Sequence, residues 1–184
     1  MKRQIRNSVF ETNSSSTHSI AISKAPVVIG KSISFNIGEF GWENGIANTA
    51  DYLYTAILEQ DNHSELLNKL KEILDKHSIG YKFENPRYEK SNYGNYEYLD
   101  NGHIDHGYEL IDFLDTILND EDLLMRYLFG DSIVYTGNDN QDCCPDGCNI
   151  AEEYVYMADE NGNYYEQLNP YHDAVNYDYF YKGN

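Results

Sequence analysis

Three short runs hold residues whose types and spacing suit chemistry. The first is Phe10-Glu11-Thr12-Asn13-Ser14-Ser15-Ser16-Thr17-His18-Ser19. Glu11, Ser14, Ser15, Ser16 and His18 can line a polar pocket, with His18 as acid or base and the hydroxyls holding an anion. A serine nucleophile would also need an oriented base and an oxyanion hole. The same run equally suits a hydroxyl-rich turn leading into a strand, because Asn, Ser and Thr side chains bond to nearby backbone.

The second run is His103-Ile104-Asp105-His106. On an extended segment His103 and Asp105 share a side, and on a helical turn His103 and His106 do. Either arrangement offers two metal ligands. The alternative is a solvated turn after Asp100-Asn101-Gly102, with Asp105 near a helix start where the dipole favours it. The third run is Asp142-Cys143-Cys144-Pro145-Asp146-Gly147-Cys148. Cys143, Cys144 and Cys148 could hold zinc, but structural zinc sites usually draw C-x-x-C pairs from two places. Free thiols in a turn fit the spacing at least as well. In an enzyme, Glu11, Ser14, Ser16, His18, Asp105 and His106 would converge on one pocket, with or without a metal. No motif in the chain calls for a cofactor.

The elements that must position these runs follow from hydrophobic periodicity. A first strand includes Ile20-Ala21-Ile22. Ser32 to Ile37 alternates, with Ile33, Phe35 and Ile37 on one face, and is expected to pair with it. A helix is predicted from about Thr49 to Glu59. Another, capped by Ser64, carries Leu66, Leu67, Leu70, Ile73 and Leu74 on one face through about His77. Ile79–Glu84 reads as a strand, and residues 85–103 as an ordered loop or hairpin. Tyr108–Leu118 and Glu121–Phe129 form a helical pair, with Asp120 capping the second and Gly130 ending it. Ser132–Tyr135 is a strand. Two further strands, Glu153–Met157 and Tyr164–Gln167, flank Asn161-Gly162, a strong hairpin signal. Val175–Tyr179 closes the chain. The expected fold is α+β, a mostly antiparallel sheet with helices packed on one face. One domain is expected over residues 1–184: a basic strand region (1–37), a helical and strand core (38–150) and an acidic Tyr-rich hairpin with a terminal strand (151–184).

Charge adds the strongest constraint. Of 184 residues, 31 are acidic and 13 basic, a formal net charge of −18. From Glu97 to Asp178 there are 20 Asp and Glu against Arg126 alone. The first 37 residues carry Lys2, Arg3, Arg6, Lys24 and Lys31 against Glu11. Self-repulsion destabilises a compact state, so such one-sidedness asks for a reason outside the fold. It argues against direct binding to nucleic acid or an anionic membrane and favours a basic partner. No apolar run approaches the ~20 residues of a membrane span, and no signal-peptide core is visible. A cytoplasmic, reducing compartment is expected. The carboxylates expected to meet a partner are Asp112, Asp115, Asp120, Glu121 and Asp122 on the helical pair, with Glu152, Glu153, Asp159 and Glu160 around the hairpin. Tyr rings among them can stack on guanidinium groups.

Arg6-Asn7-Ser8-Val9-Phe10-Glu11-Thr12-Asn13-Ser14-Ser15-Ser16-Thr17-His18-Ser19 resembles the opening of a family of small, mostly uncharacterised proteins of bacteriophages and other mobile elements. Gly38-Glu39-Phe40-Gly41-Trp42-Glu43, Ile104-Asp105-His106 and Asp139-Asn140 look like further landmarks, so the likeness spans about residues 6–140. The resemblance implies a viral or mobile-element origin and lends no catalytic role to these positions. Small acidic proteins of that origin include inhibitors of CRISPR nucleases and restriction enzymes. The expectation is therefore an anti-CRISPR-like nucleic-acid mimic acting in the host cytoplasm on a basic defence complex. The alternatives are a hydrolase or transferase built on the Ser/His/Asp pocket, and a viral structural or assembly protein.

Overall fold

The computed structural model describes residues 16–41, 45–91, 97–138 and 150–183. The chain begins with strands β1 (Ser16–Ser23), β2 (Ser32–Phe35), β3 (Glu39–Phe40) and β4 (Gly45–Ala47). Helices α1 (Thr49–Leu58) and α2 (His63–Lys76) follow. Next come β5 (Gly80–Phe83), β6 (Tyr88–Lys90), β7 (Glu97–Leu99) and β8 (His103–Ile104). A 3-10 turn, Gly107–Leu110, leads into α3 (Ile111–Asn119) and α4 (Glu121–Phe129). The chain then forms β9 (Ile133–Asn138), β10 (Tyr154–Ala158), β11 (Tyr164–Leu168) and β12 (Tyr177–Gly183). This is an α+β fold with mostly antiparallel sheets.

The main sheet has the order β12-β1-β9-β4 and is antiparallel throughout. β1 lies inside it, with His18 opposite Thr136 of β9 and Gly183 of β12. All eight of its residues are buried. Strand alternation puts Ser16, His18, Ile20 and Ile22 on one face and Thr17, Ser19, Ala21 and Ser23 on the other. Ile20, Ile22 and Val134 join the main core with residues of all four helices. Ala21 and Tyr135 meet Ile150 in a smaller cluster, against which Tyr177 and Phe180 pack. The helices therefore cover one face of the sheet.

α1 is the central helix. Asn48 caps it, its side-chain oxygen accepting from the Ala50 and Asp51 amides at 3.0 and 3.1 Å. From Tyr52 to Leu58 every residue is buried, so the helix is enclosed rather than amphipathic. α2 buries Leu66, Leu70, Ile73 and Leu74 as the spacing predicts. Phe35, Tyr54 and Phe83 stack beside α1, with the two Phe ring centroids 4.7 Å apart.

Four expectations need correction. β1 starts at Ser16, so the end of the polar run is strand and not turn. β2 pairs in parallel with β5, Ser32 opposite Gly80, and not with β1. β9 and β12 already occupy both edges of β1, leaving no ladder for it. Asn62, without a side-chain cap bond, precedes α2, which begins before Ser64. The pair predicted from Tyr108 opens as a 3-10 turn. Within residues 85–103, β6 and β7 pair antiparallel, and Asn161-Gly162 turns β10 into β11 with Gly162 at φ 79°. Among the described residues no helix is long and apolar enough to cross a membrane. Glu11, Ser14, Ser15, Trp42, Asp139, Asn140, Cys143, Cys144 and Cys148 lie outside the described residues.

Candidate functional site

Two groups of residues are candidates for function: a buried polar cluster at the start of β1, and the carboxylates of the outer surface. The cluster is assembled by β1, β3 and β8. β3 and β8 run parallel, the His103 amide donating to Gly38 at 2.9 Å and the Asp105 amide to Phe40 at 3.0 Å. These bonds deliver Asp105 to the end of β1. Gly41 makes the approach possible: its φ is 121°, and a Cβ there would stand 2.8 Å from the Asp105 Cβ and 3.3 Å from that of Ser16.

His18 sits fully buried in this junction. Its Nε2 lies 2.7 Å from the Asp105 carbonyl and 3.0 Å from Ser16 Oγ. A carbonyl only accepts, so Nε2 carries the proton. Burial lowers the His18 pKa to about 4, against the Asp105 hydrogen bond and the Asp105 and Glu109 charges, so the ring is neutral near pH 7. The lone pair is left on Nδ1, which is buried and has no hydrogen-bond partner among the described residues. The ring faces Tyr52 of α1 at 5.9 Å between centroids, and the Tyr52 hydroxyl is likewise buried without such a partner.

This geometry decides what the cluster can do. Sequence reasoning grouped Ser16, His18, Asp105 and His106, and the fold brings Ser16, His18 and Asp105 into contact. Their roles are not those of a Ser-His-Asp triad. The nitrogen nearest Ser16 already bears a proton, so it cannot take one from the hydroxyl. Ser16 Oγ itself donates to the Asp105 carbonyl at 3.3 Å. Asp105 contributes its backbone oxygen and not its carboxylate. The three residues tie β1 to the β3–β8 pair, and the hydrogen bonds satisfy polar groups that burial would otherwise leave costly.

The histidines of the His103-x-x-His106 run diverge. His103 Nδ1 meets Glu59 Oε1 at 2.7 Å, while Glu59 Oε2 accepts from the Ile104 amide at 3.2 Å. His106 instead faces Glu109 at 3.8 Å, an ion-pair distance too long for a hydrogen bond. His106 also adopts the left-handed region, φ 57°, a conformation that costs energy for a residue with a Cβ. Among the described residues no group of three or more His, Cys, Asp or Glu side chains is placed to share a metal ion. Gly41, Tyr52 and Glu59 complete the cluster without having been singled out. Glu59, at the end of a predicted helix, and Tyr52, inside it, gave no signal of their own.

The acidic surface divides into two classes. Some carboxylates are consumed by the fold. Asp120 caps α4 by accepting from the Leu123 amide at 3.0 Å. Glu121 binds Lys76 at 2.7 Å, and that contact, foremost, holds its pKa below the usual carboxylate range. Arg126 gathers Asp122 at 3.0 Å, Asp178 at 2.6 Å and the Ser23 carbonyl at 2.9 Å. Glu152 pairs with Lys182, and Asp159 accepts from Asn161 and Asn163 in the hairpin turn. Others are exposed and free of side-chain hydrogen bonds and ion pairs among the described residues, including Asp112 and Asp115 on α3 and Glu153, Glu160 and Glu166 on the hairpin.

Compared with protein-family models, curated proteins and solved structures, the chain matches none. Its own side chains are therefore what bears on function.

Proposed function

We propose that this protein is a non-enzymatic acidic inhibitor that binds a basic nucleic-acid-handling defence complex and competes with nucleic acid for its channel. A CRISPR effector is the partner best matched by the charge and by the phage-like opening run. The observation carrying the proposal is that the fold leaves exposed carboxylates unpaired among the described residues, Asp112, Asp115, Glu153, Glu160 and Glu166 among them. On α3, Asp112 and Asp115 rise about 4.5 Å along the axis, against one phosphate per about 3.4 Å along a nucleic-acid strand. The core residues Phe113, Leu114, Ile117 and Leu118 occupy the opposite side of that helix, so the charges are displayed outward. A net charge of −18 gives such a surface long reach toward a cationic groove and makes the attraction salt-sensitive.

The hydrolase alternative has weaker support, because His18 is neutral and its proton sits on the nitrogen facing Ser16. The test is competition. Purified chain is titrated into guide-loaded CRISPR effectors and the binding of labelled target DNA is followed. Displacement of DNA by the natural sequence, lost in the Asp112→Lys/Asp115→Lys variant, is expected. Undisturbed DNA binding across the effectors tested would remove the CRISPR assignment, and equal inhibition by both forms would remove the role of α3. Asp120, Glu121 and Asp122 are unsuitable for such a test, since reversing them breaks a helix cap or an internal ion pair.

A further inference from the structure

The β10–β11 hairpin displays large apolar side chains on its surface. Its register places Tyr154 opposite Leu168 and Ala158 opposite Tyr164, so Tyr154, Tyr164, Glu166 and Leu168 share one face. Val155, Met157, Tyr165 and Gln167 share the other. The first face is the more exposed one: Tyr164 is 81% exposed, Leu168 64% and Tyr154 47%, against 48% for Tyr165 on the second. Val155, Met157 and Gln167, on the second, are only half-exposed. A one-residue slip of register would move these groups to the other face, and the turn at Asp159–Gly162 fixes the register that displays them. Around them stand Glu153, Glu160 and Glu166, and residues 150–181 contain seven Asp and Glu without one Lys or Arg.

We infer that this outward face is a docking platform for arginine side chains of a basic protein partner, with Tyr154 and Tyr164 receiving guanidinium planes, Leu168 their aliphatic stems, and Glu166 their charge. Arginine fits better than lysine because its weakly hydrated planar head stacks on aromatic rings while its edge still donates to carboxylate. A second copy of the chain fits poorly. Two five-residue strands cover roughly 17 by 10 Å, far below the ~800 Å² per partner of a stable interface. Two such faces would also bring like charges together. The inference takes the sign of the partner's charge from the acidic-inhibitor reading and adds which residue it presents.

Fluorescence anisotropy with labelled nona-arginine and nona-lysine peptides tests it on the whole chain. The natural sequence is expected to bind nona-arginine about fivefold or more tighter than nona-lysine, the worth of a ring–guanidinium stack. Tyr164→Ser/Leu168→Ser should bring nona-arginine down to the nona-lysine level and leave nona-lysine unchanged. Tyr164→Leu, which keeps apolar area but removes the ring, should reduce the arginine preference too, and it decides the matter should the double variant fold poorly. Equal affinity of the natural sequence for both peptides, or a preference that survives both variants, overturns the platform and leaves the acidic-inhibitor reading standing. If neither peptide binds at low salt, both readings are removed. A concentration-dependent dimer in sedimentation velocity that the double variant abolishes would assign the face to a second copy and overturn the inference as well.

Discussion

Replacing His18 by Gln removes the titrating ring but keeps an amide donor able to reach the Asp105 carbonyl. Burial holds the native His18 pKa at about 4, against 6.5 for an ordinary histidine. Between those values the unfolded chain binds a proton that the folded chain refuses. Stability therefore falls as pH drops below about 6.5, and the full loss is present below about 4. The shift corresponds to about 3 kcal/mol at the limit, and to about 2 kcal/mol between about pH 7 and about pH 4.5. The groups around the ring are Asp105 and Glu109, which favour its charged form, and His106, which opposes it. Urea unfolding of the natural chain and of His18→Gln at those two pH values isolates the contribution, since all other titrations are common to both. The natural chain should lose about 2 kcal/mol more than the variant on acidification. Identical pH dependence in the two proteins would refute the neutral, buried assignment and reopen His18 as an acid–base group.

Other perturbations have equally definite outcomes. Arg126→Ala strips Asp122, Asp178 and the Ser23 carbonyl of their shared donor, and should lower unfolding stability by about 1–3 kcal/mol in urea titrations. Gly41→Ala forces a Cβ against Asp105 at a φ of 121°, and should cost at least about 1–3 kcal/mol and speed hydrogen exchange of the Asp105 amide. Asn48→Ala removes the α1 cap and should cost about 1 kcal/mol in thermal melts.

Much of the fold was legible in the sequence because local signals and tertiary packing agree there. α2 shows its apolar stripe, Asp120 caps α4, and Asn161-Gly162 closes the last hairpin. Disagreement arises where tertiary contacts override local chemistry. Ser16, Thr17 and His18 have turn-like composition, yet the β9 ladder, joined by that of β12 at His18, draws them into a buried strand. β2 has the alternation of a half-buried strand, but pairing partners leave no trace in a single strand's pattern, and its partner, β5, lies beyond two helices. The site was half legible. Spacing could group Ser16, His18 and Asp105 as polar neighbours, but not reveal that Asp105 offers its carbonyl or that His18 points its protonated nitrogen at Ser16. For the same reason net charge could not separate Asp112 and Asp115, which are free, from Glu121 and Asp122, which the fold already holds.

The most direct test of the acidic-partner proposal is quantitative capture from host lysate by the natural chain and by Asp112→Lys/Asp115→Lys, in parallel at about 50 and about 300 mM salt. The expected result is a basic nucleic-acid-handling complex retained by the natural chain at low salt, released at high salt, and absent from the charge-reversed variant at both. Retention of the same complex by both proteins, indifferent to salt, would contradict the claim that free carboxylates make the contact.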